Sequence, residues 1–345
     1  MIREAIAKLV GGESLSRAEA AGAMEEIMAG EATGAQIGAF LAALRAKGET
    51  VEEIAGLATV MRAKARPVQT RRPVVDTCGT GGDSTGTFNI STTAALVVAG
   101  AGLTVAKHGN RAVTSGCGSA DVLEALGVNI SLGPAEVSEC LDRVGVGFMF
   151  APLYHPAMKH AAGPRKELGI RTVFNILGPL TNPAGAEAQV LGVPSVELVE
   201  KMARVLLMLG SRHCLVVHGD DGVDELSISA PSRVAEVQDG EIRQYTISPE
   251  GTGLARASRD ELRGGTVAEN AARLRGILEG ANGGARRVVL LNAAAALVAG
   301  DAAKDLREGV AIAAESIDNG SARSRLDELI ELSQRLGQAP AAAVA

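Results

Sequence analysis

Aromatic residues are scarce in this chain. Among its 345 residues there is no Trp, and Phe and Tyr together make up only 2%. Base stacking on aromatic side chains and aromatic cages for cationic ligands are therefore disfavoured as modes of binding. The core must be filled by Ala, Val, Leu and Ile, and the hydrophobic fraction of 46% is enough for a sizeable core. A chain of this length is typical of roughly two domains.

Cysteine is also scarce, and its spacing argues against two kinds of site. The four cysteines are Cys78, Cys117, Cys140 and Cys214, with no C-x-x-C pair and no matched pair of histidines. Neither a zinc site nor a disulfide framework is indicated, and a reducing cytosol fits best. We interpret Cys78 and Cys117, which lie in or beside the polar loops described below, as small packing residues rather than catalytic thiols.

Long apolar runs and an excess of positive charge are missing. The longest apolar runs, 94–106 and 288–300, contain turn or polar residues and are too short to span a bilayer, and the N-terminus lacks the apolar core of a signal peptide. A net charge of -6 argues against a generic surface for nucleic acid or anionic membranes. We therefore expect a soluble, cytoplasmic protein that binds neither nucleic acid nor membranes.

A glycine-rich loop follows the first apolar strand. Residues 74–98 read VVDTCGTGGDSTGTFNISTTAALVV, so a buried strand leads into Gly79, Gly81 and Gly82, then into hydroxyl-bearing residues and an apolar helix. Glycines let backbone N–H groups turn inward, and a helix N-terminus adds the positive end of a dipole. The loop is neither a G-x-G-x-x-G motif nor a Walker loop. On its own it fits an anion cradle or an ordinary tight turn.

A second polar loop follows the next strand. Residues 103–127 read LTVAKHGNRAVTSGCGSADVLEALG, with two cations and a histidine in Lys107–Arg111 and another helix after Ser119. An ordinary turn does not need a cluster of cations in the neighbouring loop, so the pair favours the anion cradle. Two such loops on successive strand–helix units indicate a ligand with two phosphate groups.

The order of predicted elements indicates an α/β fold with a small helical domain in front. Ser16-x-x-Glu19, Thr33-x-x-Gln36 and Thr50-x-x-Glu53 are capping boxes that predict helices within 1–66. These short helices need an outside surface, which we expect to be shared between the large domain and a second subunit of a homodimer. The basic, proline-punctuated residues 67–73 predict a hinge, and residues 74–345 the α/β domain, with helices around 155–180 as further partners of the helical domain.

Within the α/β domain, alternation of strands and helices predicts a mainly parallel central sheet flanked by helices, with ligands at the carboxyl ends of its strands. A hairpin over 234–247 is predicted around Asp239-Gly240, and residues 171–183 are expected to be irregular. The predicted strands are 74–77, 103–107, 146–150 and 213–218. The predicted helices are 92–101, 119–126, 134–144, 155–167, 195–209, 292–299, 302–318 and 321–336. A further helix is predicted to begin at the cap Thr266-x-x-Glu269, and the tail from Gln338 is expected to fray.

Acidic residues, histidines and one arginine are further candidates for chemistry. Asp220, Asp221, Asp224 and Glu225 follow an apolar strand, which fits either a solvated turn or an Mg²⁺ site, since Mg²⁺ bridges carboxylates to substrate phosphates. His155 and His160 are five apart on a predicted helix, off the spacing of a shared metal site. Taken alone, these histidines are interpreted as helix-surface or structural residues, and Arg165 as an exposed cation at a helix end.

Five segments together resemble one family. They are GTGGD (79–83), Asn89-x-Ser91-Thr92, KHGNR (107–111), GSADVLEALG (118–127) and RTVFNILGPLTNP (171–183). Their order and spacing are similar to those of the anthranilate phosphoribosyltransferases, and the likeness covers about residues 5–335. This resemblance implies transfer of the 5-phosphoribosyl group from phosphoribosyl pyrophosphate to the amino nitrogen of anthranilate, with release of pyrophosphate.

The resemblance also implies the site residues, none of them a covalent nucleophile. Anthranilate would meet Gly79, Asn110 and Arg165, with His108 and the region of His155 beside it. Two Mg²⁺ ions per site would be held by Ser91, Asp224 and Glu225. The implied contacts of phosphoribosyl pyrophosphate are Gly79, Gly82, Asp83, Thr87, Asn89, Ile90, Ser91, Thr92, Lys107, His108, Gly109, Asn110, Arg111, Ala112, Val113, Thr114, Ser115 and Ser119.

Two alternatives remain at the level of the sequence. A nucleoside phosphorylase of the same fold also binds phosphate beside a sugar, although the intact KHGNR and GSAD segments favour the transferase. A non-catalytic nucleotide-binding regulator is the other alternative, and it predicts a degraded metal site. The presence of Ser91, Asp224 and Glu225 argues against it.

Overall fold

The computed structural model describes residues 1–83, 85–112 and 116–338. Its first part consists of four helices, α1 (Ile2–Val10), α2 (Arg17–Ala29), α3 (Gly34–Lys47) and α4 (Val51–Lys64). The three predicted capping boxes are formed, because the Ser16, Thr33 and Thr50 side chains each accept the backbone N–H three residues on. Gly30 and Gly48 end their helices at positive φ. The helical part of the fold is therefore confirmed.

The second part is built on one seven-stranded sheet, which confirms the predicted α/β class. The order is β3-β2-β1-β4-β5-β6-β7, with the first five strands parallel and the last two antiparallel. Successive connections run outward from β1 in opposite directions, so the gap between β1 and β4 is the topological switch point. The strands are β1 (Val74–Gly79), β2 (Thr104–Gly109), β3 (Val146–Phe150), β4 (Ala188–Gly192), β5 (His213–Gly219), β6 (Ser232–Gln238) and β7 (Glu241–Ile247).

The remaining helices cover both faces of this sheet. They are α5 (Ile90–Gly100), α6 (Ser119–Ala125), α7 (Pro134–Val144), α8 (Ala151–Tyr154), α9 (Lys159–Leu168), α10 (Phe174–Leu177), α11 (Glu197–Met208), α12 (Val267–Leu278), α13 (Gly284–Ala299), α14 (Leu306–Asp318) and α15 (Ser321–Gln338). In the described ranges, no helix is both long and apolar enough to cross a bilayer. The fraying tail was predicted for residues that, beyond Gln338, lie outside this description.

The two faces of the sheet bury two separate apolar cores. One core joins α5, α13 and α15 to one face. The other joins α1–α4 to α9, α10 and α11 and to the opposite face, including Cys214 and Val216 of β5. The helical part therefore packs on the α/β part. All four cysteines are free and buried. For Cys78 and Cys117, burial agrees with their interpretation as packing residues.

Several predicted elements differ from the structure. The helix predicted over 155–167 is broken at His155, whose backbone (φ -120°, ψ 63°) leaves the helical region between α8 and a single 3₁₀ turn. The segment 171–183 contains the short helix α10 rather than only irregular chain, and α13 begins at Gly284 instead of residue 292. Strand β4 was not predicted, because the polar residue Gln189, which is buried in the structure, interrupts its apolar pattern. The predicted hairpin is confirmed, with positive φ at Asp239 and Gly240.

Candidate active site

The acidic turn lies directly against the glycine-rich loop at the switch point. Gly79 ends β1 and Gly192 ends β4, and a Cβ at Gly192 would collide with the Asp224 backbone carbonyl. At Gly79 a Cβ would stand 2.5 Å from Asp224 Oδ2. The Gly81 N–H donates to the same carboxylate oxygen at 2.9 Å. Glycine at both strand ends is thus what lets the turn cross the edge of the sheet.

Asp224 and Glu225 lie in this turn with Asp83 nearby, and the negative charge of both Asp224 and Glu225 is disfavoured. Burial raises the pKa of Asp224 to about 7, with the charge of Asp83 adding to the effect. Burial likewise raises the pKa of Glu225 to about 8, reinforced by Asp224. A backbone hydrogen bond from Ser91 to Glu225 acts in the opposite direction. The residues predicted to bind metal are therefore neighbours, and a cation would relieve their repulsion.

This donor set suits Mg²⁺. Two carboxylates and the Ser91 hydroxyl are hard oxygen ligands, and Mg²⁺ completes its shell with water and substrate phosphates. Within the described part of the chain, no group of three or more His, Cys, Asp or Glu residues is arranged as a metal centre by itself. Substrate phosphates would therefore have to supply part of the coordination.

A buried lysine lies beneath the loop. Lys107, on β2, is 3% exposed, and its Nζ donates to the Thr77 carbonyl at 2.5 Å and lies 3.4 Å from Ser91 Oγ. Burial lowers the pKa of Lys107, while the negative charge of Asp76 opposes that shift. Asp76 itself is fully buried and accepts a hydrogen bond from Asn182 Nδ2 at 2.8 Å. The cation is thus held at the N-terminus of α5, where anions bind.

The start of α5 joins the two loops. Asn89 precedes the helix and donates from Nδ2 to the Cys117 carbonyl of the second loop at 3.1 Å. The side chains of Ile90 and Thr92 are buried, so contacts of these residues with a ligand would come from the backbone. First-turn amides of a helix have no intrahelical acceptor, which leaves them to bind anions.

The second loop folds back on α6. The Asn110 carbonyl accepts hydrogen bonds from the Ser119 hydroxyl at 3.3 Å and the Ala120 N–H at 3.2 Å. Gly109 is needed because a Cβ there would collide with the Ser119 hydroxyl. The Ala112 N–H donates to Asp121 at 2.9 Å. The predicted contacts Val113, Thr114 and Ser115 lie outside the described residues.

Arg111 has its side chain turned toward α6 rather than across the loop. Its Nη1 lies 3.0 Å from Asp121 and 2.8 Å from Glu124. Its guanidinium also stands 5.6 Å from the centre of the Phe150 ring. A phosphate contact by the Arg111 side chain would have to compete with these ion pairs.

Two buried histidines lie next to each other beside the second loop, with their rings tilted by 53°. The ring centres of His108 and His155 are 5.0 Å apart, and the Nε2 atom of each is buried without a hydrogen-bond partner. Burial lowers the pKa of His108 to about 3 and that of His155 to about 4, so both rings are neutral near pH 7. The prediction that His155 lies on a helix was wrong, but its position next to His108 agrees with the expectation from the resemblance.

Arg165 lies near the end of α9. It is half-buried, its guanidinium carbon is 4.8 Å from the centre of the Phe174 ring, and burial lowers its pKa. In the described residues it forms no ion pair, and no hydrogen bond joins it to Gly79 or Asn110. The exposed helix-end interpretation is therefore wrong. Among the described residues, no hydrogen bond joins the three predicted anthranilate residues to one another.

Two polar residues of the site were missed at the sequence level. Arg171 donates from Nη2 to the Gly81 carbonyl at 2.9 Å and covers Gly82, where a Cβ would overlap the guanidinium. Gly82, Asp83 and Thr87 lie half-buried in the same loop, and Ser84 is outside the described residues. Asp76 is the second, and a charged residue inside an apolar strand was the available signal for it.

Comparison with known proteins places these features in one class. Residues 3–65 match the family model described as a glycosyl transferase family helical bundle domain, and residues 71–323 match the one described as a glycosyl transferase family a/b domain. Bundle, sheet and loops together thus define a two-domain glycosyl transferase.

Individual relatives narrow this class. The anthranilate phosphoribosyltransferase of Chloroflexus aurantiacus is 62% identical over 335 residues, which are 96% of this chain and 99% of the relative. That of Moorella thermoacetica is 58% identical over 331 residues, with 96% and 98% covered. This chain belongs to the anthranilate phosphoribosyltransferase family.

Solved structures agree with this assignment. The anthranilate phosphoribosyltransferase of Thermus thermophilus has a TM-score of 0.91 and 47% identity, over 96% of this chain and 99% of that one. The Saccharomyces cerevisiae enzyme in complex with PRPP and Mg has a TM-score of 0.88 and 29% identity, over 97% and 98%. The same yeast enzyme has also been solved with 4-fluoroanthranilate, with a TM-score of 0.87 and 27% identity, over 97% and 98%.

Proposed function

We propose that this chain transfers the 5-phosphoribosyl group of phosphoribosyl pyrophosphate to the amino nitrogen of anthranilate, giving N-(5-phosphoribosyl)anthranilate and pyrophosphate in tryptophan biosynthesis. One observation carries this proposal. The acidic turn touches the glycine-rich loop at the switch point, where Asp224 accepts the Gly81 N–H, and Lys107 lies beneath at the start of α5. Anion donors and metal-type ligands are thus combined in one place.

The reaction asks mainly for electrostatics and position. The bond from C1 of the ribose to pyrophosphate breaks, a bond from C1 to the amine nitrogen forms, and the nitrogen then releases a proton. An aniline-type amine is already unprotonated near neutral pH, so the chain need not supply a strong base. Lys107 and the amides of residues 79–83 and of α5 would stabilise the negative charge that gathers on the departing pyrophosphate.

Asp224, Glu225 and Ser91 would hold the Mg²⁺, which we propose to be two ions per site. When bound, Mg²⁺ supplies positive charge that neutralises the phosphates. Burial raises the pKa of both carboxylates, with the charge of Asp83 adding to the shift at Asp224 and that of Asp224 to the shift at Glu225, and this unfavourable negative charge supports the role. A titration of Mg²⁺ binding by calorimetry would give the number of ions, and a single binding event would contradict two.

We further propose that anthranilate lies against Arg165, Asn110 and the neutral His108–His155 pair. The Arg165 guanidinium is half-buried and forms no ion pair in the described ranges, which leaves it to bind a carboxylate by charge-assisted hydrogen bonds. The neutral rings give an uncharged wall for an aromatic ring. We assign the remaining predicted contacts to phosphoribosyl pyrophosphate, which would bind the two loops.

The proposed assembly is a cytoplasmic homodimer, divided into a helical domain (1–66), a hinge (67–73) and an α/β domain (74–345). Met1, just before α1, and Val10, its last residue, are 61% and 74% exposed and support a contact through the helical domain. Light scattering at micromolar concentration would reveal the dimer, and a monomer would contradict it.

A fluorescence assay tests the proposed activity. Anthranilate is fluorescent, and its signal should fall only when phosphoribosyl pyrophosphate and Mg²⁺ are both present. A parallel assay for phosphorolysis of nucleosides tests the phosphorylase alternative. Phosphorolysis without loss of anthranilate would overturn the proposal.

A further inference from the structure

Residues 262–266, which are distant in sequence, are joined to the first loop by backbone hydrogen bonds. Residues 262–266 read LRGGT, and the Phe88 N–H donates to the Leu262 carbonyl at 3.0 Å while the Gly264 N–H donates to the Gly86 carbonyl at 2.7 Å. Thr87 and Arg263 are thereby paired as an isolated antiparallel bridge. A Cβ on Gly264 would stand 2.8 Å from the Thr87 carbonyl oxygen, so glycine is needed for this approach.

The same segment also reaches the second loop. A Cβ on Gly116 would lie 3.5 Å from the Gly265 carbonyl oxygen. The Gly265 N–H donates to Asn270 Oδ1 at 2.9 Å, which ties the segment to α12. Arg273 of that helix lies 5.5 Å above the Phe88 ring and donates to the Glu261 carbonyl at 3.0 Å. Residues 262–266 are therefore held rigidly against both loops.

The bridge fixes the direction of one side chain. Residues directly opposite each other in an antiparallel pair project to the same face, with Cβ atoms about 4.5–5.5 Å apart. The side chain of Arg263 thus lies on the face of Thr87, whereas that of the next residue, Phe88, is 2% exposed and points into the core. Arg263 is 78% exposed, and its ion pair in the described ranges, with Asp260, is 4.0 Å long.

We propose that Arg263 binds a phosphate group of phosphoribosyl pyrophosphate on the Thr87 face of the first loop, an inference that rests on the proposed function. A guanidinium is planar, always charged and presents paired donors that fit phosphate oxygens. The weak contact with Asp260 leaves those donors free to turn toward a ligand on the Thr87 face. Because this contact is made to the substrate as well as to the transition state, it contributes to binding rather than to turnover.

The test compares Arg263→Gln with a matched arginine. Arg243→Gln on β7 removes a cation that is 70% exposed and has a similarly weak ion pair of 3.7 Å with Glu241. For Arg263→Gln we expect about a tenfold rise in the KM for phosphoribosyl pyrophosphate, with kcat and the KM for anthranilate unchanged. Arg243→Gln should match the parent, and Arg263→Lys should recover part of the loss. An unchanged KM for phosphoribosyl pyrophosphate in Arg263→Gln overturns the proposal.

Binding measurements separate this inference from the proposed function and identify the phosphate involved. Calorimetry would compare the affinity of the parent and of Arg263→Gln for phosphoribosyl pyrophosphate, for inorganic pyrophosphate and for ribose 5-phosphate. Weaker binding of only one of the last two assigns Arg263 to that end of the substrate. If the parent binds phosphoribosyl pyrophosphate but does not consume anthranilate, the proposed function is wrong. The comparison of affinities between the parent and Arg263→Gln still decides the role of Arg263. Equal affinities of the parent and the variant for all three probes would contradict the proposal that Arg263 binds phosphate.

Discussion

Buried polar groups are paired in the helical domain and left partly unpaired at the carboxyl edge of the sheet. In the bundle, the fully buried Glu53 accepts hydrogen bonds from the Leu15 N–H at 2.8 Å, the Thr50 N–H at 2.7 Å and Lys47 Nζ at 3.0 Å. Residues 1–66 are all described, and none of their buried side-chain polar atoms lacks a partner. At the sheet edge several do: Asp76 Oδ1, Thr80 Oγ1, Asn89 Oδ1, His108 Nε2 and His155 Nε2.

This difference separates stability from function. A buried polar atom without a partner costs free energy, so it persists where a ligand can supply the missing bond. Changes in the bundle should therefore lower the free energy of unfolding and leave turnover per folded molecule intact. Changes at the sheet edge should lower turnover per folded molecule and leave the free energy of unfolding nearly unchanged.

The largest expected effect is on the acidic turn. Asp224→Asn and Glu225→Gln should each lower kcat by about 10²–10³ with native folding, because each removes an electrostatic element of the site. Their Mg²⁺ dependence should shift as well. The matched control is Asp220→Asn in the same turn, where a surface ion pair with Arg233 at 3.0 Å is lost. Normal turnover and an unchanged Mg²⁺ titration in either variant would make the turn a solvated surface.

Next in size is the effect of Arg165→Ala. Loss of a charged hydrogen-bond partner costs about 1.5–3 kcal/mol, which is roughly a ten- to hundredfold rise in the KM for anthranilate. The KM for phosphoribosyl pyrophosphate should not change. The neighbouring exposed residue provides the control Lys166→Ala. Unchanged kinetics with anthranilate would remove Arg165 from the site.

In the bundle, the corresponding change is Glu53→Gln. The amide keeps the shape but cannot satisfy Lys47 and two backbone donors as a carboxylate does, so we expect a loss of about 1–3 kcal/mol in the free energy of unfolding. Denaturant titration measures this loss. Glu25→Gln, which breaks an exposed pair with Lys64 at 2.8 Å, should cost less than about 1 kcal/mol. A large fall in the kcat of folded Glu53→Gln would contradict the conclusion that changes in the bundle affect stability but not turnover.

The smallest effect concerns the opposite end of the sheet, at the start of β5. Burial favours the neutral form of His213, but hydrogen bonds to Glu236 at 2.8 Å and Asp301 at 3.0 Å outweigh it, so the pKa of His213 is raised. Its contribution to stability is full below the unfolded pKa of about 6.5 and is lost as pH rises through the folded pKa.

Thermal unfolding across that range measures the effect. The melting temperature of the parent should fall as pH rises above about 6.5, and this part of the fall should disappear in His213→Asn. His160→Asn on α9 should keep the pH dependence of the parent. Identical pH profiles for the parent and His213→Asn would show that the two carboxylates do not stabilise the charged ring.

Local patterns predicted the elements well, whereas contacts between distant segments could not be read from the sequence. Capping boxes and the Asp239-Gly240 turn depend on neighbours within four residues, and each was found in the structure. Strand β4 was missed because Gln189 interrupts its apolar pattern, and its pairing with β1 and β5 joins segments distant in sequence. The two loops and the acidic turn were expected at one sheet edge from topology alone. The positions of Arg171 and Arg263 needed coordinates, because each meets the first loop from far along the chain.

The apolar core shared by the bundle and one face of the sheet bears on how the chain can move. The chain at the predicted hinge (67–73) is itself bonded to the α/β part. The Arg66 N–H, just before it, donates to the Tyr154 carbonyl at 2.8 Å, and the Val68 N–H within it donates to the Pro183 carbonyl at 3.0 Å. Arg62 of α4 adds a bond from Nε to the Leu180 carbonyl at 2.6 Å. Any closure over the substrates would therefore be a small sliding of packed helices rather than a free swing. By the same reasoning, a chain cut by a protease between residues 66 and 73 would remain one particle, with its two fragments held together by the core they share.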